Sequence, residues 1–379
     1  MQLFCGIDVS KSSHKVCMKN EKLETTAGLS ITNNLEGFRK VEKRVPKTAI
    51  VGMEATGEYH KPLEHWLKER GYKVYVFNPR KTKNFAKVNH IVTKTDKVDA
   101  AMLAEFMAMG FHKTQKQREN KYPELRQLTR ARLALVNDQT RLKIRVLTKL
   151  AVIFPEYESM FSSNFGKTFT ELLLKYTSPE NFAKLSSKQL TAEIVPMSMG
   201  LLRDKKAKEI IETAKNSIGI KNEAYVEDMR ISLTYIKELE KDINHLNKKI
   251  REKMHPIEQS ITDTKGIDVP LAATIITEIG DISQFKSRRA LFNFTGMVPM
   301  IRESGNYKAG NKHMSKYGNK YLRTAIWLCA ISCINHNSEF REYFHKKHKI
   351  DKLSKMSAVG AVCRKLTYRI YYIMKNEMN

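Results

Sequence analysis

The sequence predicts an α/β domain at the N-terminus followed by an all-α remainder, and three observations carry that prediction. Residues 1–115 alternate apolar runs of strand length with short amphipathic stretches. From Tyr122 the apolar residues recur at three- and four-residue spacing over stretches far too long for strands. After Pro256, short apolar helical segments are joined by Gly-containing turns.

Residues 2–9 (QLFCGIDV) form an apolar run, and residues 13–19 (SHKVCMK) alternate as a second strand of a hairpin should. Residues 24–31 supply a third strand, Leu35 to Arg44 a helix, and Thr48 to Glu54 a buried strand ending in Glu-Ala-Thr-Gly. An amphipathic helix follows from Tyr59 to Glu69 with Leu63, Trp66 and Leu67 inward, then a strand at Lys73 to Phe77 stopped by Asn78-Pro79. Three strands, then strands alternating with helices, is the order of an RNase H-like α/β domain.

Next comes Lys94-Thr-Asp-Lys-Val-Asp-Ala-Ala-Met-Leu-Ala-Glu-Phe106, which sets Asp96 and Asp99 at the head of a helix. Residues three apart share a helix face. Two anions held together repel unless a cation sits between them, and the apolar run behind them limits relief by water. The plain alternative is that Asp96 caps the helix and Asp99 favours its dipole. Two further acids stand at the ends of predicted strands, Asp8 on the first and Glu54 on the fourth. Four carboxylates brought to one spot would hold a pair of Mg²⁺ ions about 3.5–4 Å apart, the arrangement that activates a nucleophile and stabilises the leaving oxygen of a phosphodiester.

Residues 116–260 form a long-helix region. Leu128, Leu135 and Leu142 repeat every seven residues, while basic side chains including Arg130 and Arg141 cover other faces and read as nucleic-acid contacts. A second long helix from Glu223 to Lys253 keeps a coiled-coil seam through Ile236, Leu239, Ile243, Leu246 and Ile250. The two pair either within the chain or across subunits. Between them, residues 155–220 read as a helical insertion.

Residues 261–379 form the third region. It opens on Thr264-Lys-Gly-Ile-Asp268, similar to a helix-hairpin-helix turn. A polar loop from Pro299 to Arg323 is punctuated by Gly and dense in Lys, Arg, Asn and Ser, and its interleaved tyrosines favour a polyanion site. An apolar helix from Leu322 to Ile334 anchors it.

Charge sharpens the reading. The chain carries +27, divided as +7 over residues 1–110, +9 over 111–260 and +11 over 261–379. A polyanion contacted along the whole molecule explains a surplus so evenly spread. No apolar run approaches the roughly 18–20 residues a spanning helix needs, and the N-terminus reads as a strand, so the expected location is cytoplasmic with no membrane partner. The five scattered cysteines suggest neither disulfides nor a zinc site.

Taken in order, Gly6-Ile-Asp-Val-Ser10, Met53-Glu-Ala-Thr-Gly57, Asn78-Pro79, Lys94-Thr-Asp-Lys-Val-Asp-Ala100, Gly296-Met-Val-Pro299, Glu303-Ser-Gly305 and Met314-Ser-Lys-Tyr-Gly-Asn-Lys-Tyr-Leu-Arg323 resemble the DEDD insertion-sequence transposases, the bridge-RNA-guided recombinases. The resemblance implies a RuvC-like N-terminal domain with Asp8, Glu54, Asp96 and Asp99 as its metal-binding tetrad. It implies a coiled-coil region that dimerises, a homo-oligomer (dimer or tetramer), and a C-terminal transposase domain with Ser304 as nucleophile. It also implies donor and target double-stranded DNA and a structured non-coding guide RNA as partners. Arg302, Lys308, Lys312, Lys316 and Arg323 would neutralise the phosphate beside Ser304. Ser315 is a competing nucleophile, and a Ser-Gly turn is the plain alternative for Ser304.

Three other functions are compatible with parts of the sequence. A structure-selective endonuclease would use the four acids and water without a covalent intermediate. An actin-like ATPase or sugar kinase would need a second Gly-Ile-Asp-like hairpin in the C-terminal half. A non-catalytic RNA-binding scaffold would need the charge but not the acids.

Overall fold

The computed structural model describes residues 2–55, 57–90, 95–114, 121–257, 260–300, 303–304, 307–308 and 313–377. The chain divides into two compact units, residues 1–118 and 119–379.

The first unit runs β1 (Phe4–Val9), β2 (Ser13–Lys19), β3 (Thr25–Thr32), α1 (Leu35–Arg44), β4 (Ile50–Glu54), α2 (Lys61–Glu69), β5 (Lys73–Phe77), α3 (Pro79–Val88) and α4 (Asp96–Ala108). Among the described residues its strands form one five-stranded sheet in the order β3-β2-β1-β4-β5. The first three strands are antiparallel, while β4 and β5 run parallel to β1. Strand pleating sorts the core into two layers. Cys5, Ile7, Val9, Val51 and Met53 pack with Phe38 and Val41 of α1 and Leu63 and Leu67 of α2. On the other face Phe4, Ile50, Tyr75 and Phe77 meet Phe85 of α3 and Met102, Leu103, Phe106 and Met107 of α4.

Two local readings of the sequence are corrected here. Asn78-Pro79 does more than stop β5: the Asn78 side chain accepts a hydrogen bond from the Arg80 amide, and Pro79 opens α3 at a position where a missing N–H costs nothing. At α4 the cap is Thr95, whose hydroxyl accepts from the Val98 amide at 3.3 Å, so Asp96 lies inside the first turn rather than capping it.

The second unit runs α5 (Pro123–Ile153), α6 (Lys167–Tyr176), α7 (Pro179–Ala183), α8 (Ser187–Met197), α9 (Asp204–Lys215), α10 (Glu223–Met254), α11 (Val269–Ile279), α12 (Arg288–Thr295), β6 (Glu303–Ser304), β7 (Tyr307–Lys308), α13 (Lys320–His336), α14 (Ser338–His345) and α15 (Lys355–Asn376). The long helices α5 and α10 pair antiparallel within the chain. Lys253 ion-pairs with Glu124 at 2.6 Å, Arg132 donates to Asn247 at 2.5 Å, and Arg145 pairs with Asp228. In the middle of their seam Leu135, Leu239 and Leu246 are half-buried and Ile243 is buried.

A separate core lies at each end of this helix pair. Residues 155–220 gather Tyr157, Phe169, Leu172, Phe182, Ile194 and Ile210 against Val146, Leu150 and Leu233 of the long helices. The other core packs the apolar α11 with α13 and α15 and reaches Leu125 and Ile250. Thus the long-helix region and the C-terminal region belong to one compact unit. The apolar helix expected at 322–334 is α13, and α14 and α15 continue the helical C-terminal region after it.

All five cysteines are buried free thiols, and burial pushes Cys333 up to about 11. Among the described residues no helix is long and apolar enough to cross a membrane.

Candidate active site

The first unit carries Asp8 and Glu54 at the ends of two neighbouring strands, and Asp96 and Asp99 in the first turn of the helix that packs on the sheet. β1 and β4 are in register with Ile7 opposite Met53, and Asp8 and Glu54 are the next residue on each strand. Alternation places Asp8 on the face of Phe4 and Gly6, and Glu54 on the face of Ile50 and Gly52. That is the face covered by α4.

How closely α4 sits is set by two glycines. A Cβ on Gly6 would lie 2.1 Å from the Ala100 carbonyl oxygen and 2.5 Å from the Ala104 amide nitrogen; one on Gly52 would lie 2.4 Å from the Met107 sulfur. The Ala100–Ala104 turn of α4 thus lies on Gly6, and Lys19, opposite Phe4 in the ladder, ion-pairs with Glu105 of the same helix at 3.6 Å. Asp8, Glu54 and Asp99 are half-buried and Asp96 is exposed.

The donors are all carboxylates, a set suited to hard, oxygen-seeking divalent cations. They do not form a closed cage: among the described residues no three acidic, imidazole or thiol side chains stand in metal-ligating geometry.

The second unit places Ser304 in β6, where it pairs with Tyr307 of β7 and Glu303 pairs with Lys308. This pairing caps a hairpin whose stem is held by Met300 N–H to His313 O at 2.8 Å, Ser315 N–H to Val298 O at 2.9 Å and Lys316 N–H to Gly296 O at 2.9 Å. Arg302 and Lys312 lie outside the described residues, as do the side chains of Ser304 and Lys308. Lys316 is exposed and holds a left-handed backbone with φ of 54°. Arg323 donates to the Thr295 carbonyl at 3.0 Å, a stem contact. The Ser315 hydroxyl donates to the Gly296 carbonyl at 3.2 Å, which gives that serine a structural task.

The two predicted contacts on α5 differ. Arg141 is 77 % exposed and pairs with Asp138 at 2.7 Å. Arg130 turns inward, its Nε donating to the buried Glu278 at 2.6 Å while its guanidinium stacks 4.3 Å from the centre of the Tyr321 ring. Sequence reading missed Glu278 altogether. The available signal was one acid in the apolar run LAATIITEI.

Residues 5–155 match a family model described as transposase, of the DEDD IS110 type, and residues 258–345 match one described as transposase of the IS116/IS110/IS902 family. The chain belongs to this transposase family. Over 91 % of its length it is 24 % identical to the insertion element IS110 uncharacterized 43.6 kDa protein of Streptomyces coelicolor, covering 87 % of that protein. It is 23 % identical to the pilin gene-inverting protein of Moraxella bovis over 99 % of its own length and 96 % of that protein. With the insertion element IS900 uncharacterized 42 kDa protein of Mycobacterium paratuberculosis it shares 27 % identity, covering 67 % of the chain and 65 % of that protein. The transposase is an enzyme of DNA transposition and recombination, its substrate is DNA, and its DEDD domain points to dependence on divalent metal in general.

Proposed function

We propose that this transposase cuts and exchanges DNA strands through a covalent phosphoserine link at Ser304, with Asp8, Glu54, Asp96 and Asp99 holding two Mg²⁺ ions. The observation that supports this reading is the glycine saddle, which lets α4, with Asp96 and Asp99 in its first turn, lie directly on the sheet face that carries Asp8 and Glu54. Bound there, the metal would supply Lewis-acid stabilisation of a phosphodiester oxygen. The first unit is then an RNase H-like, RuvC-like domain, in keeping with its sheet order.

In the transfer step the Ser304 hydroxyl loses its proton to solvent and its oxygen bonds to phosphorus. The P–O3′ bond breaks, and the departing 3′ oxygen takes up a proton. The phosphodiester energy is kept in the phosphoserine, so the reverse attack by another 3′ hydroxyl reseals the strand without ATP. Lys316, Lys308, Lys312 and Arg302 on the hairpin supply positive charge for the phosphate. A structured guide RNA that pairs with donor and target DNA, a homo-oligomeric assembly and a cytoplasmic location complete the reading. The Moraxella bovis relative is named a pilin gene-inverting protein, and inverting a DNA segment requires that strands be cut and rejoined.

The test is to stop the reaction in denaturant, digest the protein and map the nucleotide adduct. An adduct on Ser304 supports the reading. Strand cleavage that persists in Ser304→Ala without an adduct establishes the endonuclease alternative instead.

A further inference from the structure

Glu278 stands in the last turn of α11 with its side chain fully buried at 0 % exposure. A carboxylate removed from water is costly unless its oxygens are met by donors. Here Oε2 accepts from Arg126 Nη2 at 2.9 Å, Arg130 Nη2 at 3.0 Å and Asn319 Nδ2 at 2.6 Å, while Oε1 accepts from Arg130 Nε at 2.6 Å. Burial alone would push the carboxyl up, but the hydrogen bonds from Arg130, Arg126 and Asn319 outweigh it and hold it below the usual glutamate range.

Two of these donors, Asn319 and Arg130, lead to the serine hairpin. Asn319 is the N-cap of α13: its side-chain oxygen accepts from the Tyr321 and Leu322 amides, and its own N–H donates to the Phe294 carbonyl at 2.8 Å. It is therefore one foot of the hairpin. The other foot is Gly296, in the left-handed region at φ of 71°, where a Cβ would lie 2.8 Å from Arg323 and 3.0 Å from Gly318. Arg130 adds its stacking on Tyr321, two residues past the first foot.

We infer that Glu278 is a positioning residue for strand transfer: by binding Asn319 together with Arg126 and Arg130 it pins the foot of the Ser304 hairpin to α5. This rests on the reading of Ser304 as nucleophile. A buried ion cluster adds little stability over apolar packing, whereas a carboxylate on α11 with donors from α5 and from the α13 cap fixes how those three segments lie. Misplacing a reacting group by about 1 Å costs on the order of 10²-fold in rate.

The experiment uses the full chain with its DNA and compares two variants. Asn319→Ser keeps a capping hydroxyl for α13 but loses the donor to Glu278, so it folds even if Glu278→Gln does not. The rate of cleavage at saturating DNA is measured beside DNA affinity, and amide exchange is followed at Met300, Ser315 and Lys316. The expected result for Asn319→Ser is a rate lower by about 10- to 100-fold with little change in Kd. The stem amides should exchange faster while those of α6 to α9 keep their protection. Cleavage at the wild-type rate, or unchanged stem protection, overturns the inference. Failure of the serine reading looks different: Ser304→Ala then cleaves normally, and the stem still loosens in Asn319→Ser.

Discussion

Gly6 meets Ala100 backbone to backbone, so that even one methyl group on Gly6 would sit 2.1 Å from the Ala100 carbonyl oxygen. The contact has no slack on either side, because Ala100 is itself buried against the sheet. Gly6→Ala must therefore lift the front of α4. We expect a loss of about 1–3 kcal/mol in stability, the usual cost of overpacking, and a larger loss of metal-dependent cleavage. Denaturant titration beside a cleavage assay checks this; cleavage reduced no more than stability predicts would separate the saddle from the site.

Asp8→Asn, Glu54→Gln, Asp96→Asn and Asp99→Asn should each abolish recombination while sparing DNA binding, since only metal affinity is lost. Chelation of divalent metal should reproduce the effect in the unaltered protein. Full recombination by two or more of them in Mg²⁺ would remove the site.

DNA affinity should fall steeply with salt, because a charge of +27 spread along the chain implies many phosphate contacts at once. Proteins making such contacts lose about 10³–10⁵ in affinity between 50 and 200 mM salt. A nearly flat titration over that interval would contradict a phosphate-dominated interface.

Glu278 makes a pH-dependent contribution to stability with a definite sign. Its carboxyl is held below the ordinary value of 4.5, so its stabilisation is in place above that value and is lost as pH falls through the lower folded value. The stability gap between wild type and Glu278→Gln should thus be constant near neutrality and shrink in acid. Denaturant midpoints at a series of pH values measure the gap, and one that widens on acidification would reverse the assignment.

Much of the first unit was readable because its strands are short, apolar and regularly spaced. β2, β5 and α1 begin and end where alternation and periodicity put them, at Ser13–Lys19, Lys73–Phe77 and Leu35–Arg44. The α5–α10 pairing shows what a heptad pattern leaves open. A seam of leucines states that a partner exists, but only long-range contacts such as Lys253 with Glu124 show that the partner is the same chain. Asn78-Pro79 reads as a stop and is equally a start, since the residues that end a strand also cap a helix. Glu278 escaped for a different reason: its partners are Arg126 and Asn319, distant in sequence and ordinary in isolation.

The arrangement of α5 and α10 also bears on how the second unit comes apart. The core built on residues 155–220 and the core around α11 are separate clusters, joined through the α5–α10 seam. Such a molecule need not melt as one cooperative block. The expected consequence is that the 155–220 bundle opens as a foldon of its own, its amides exchanging together while those of the serine hairpin's stem stay protected.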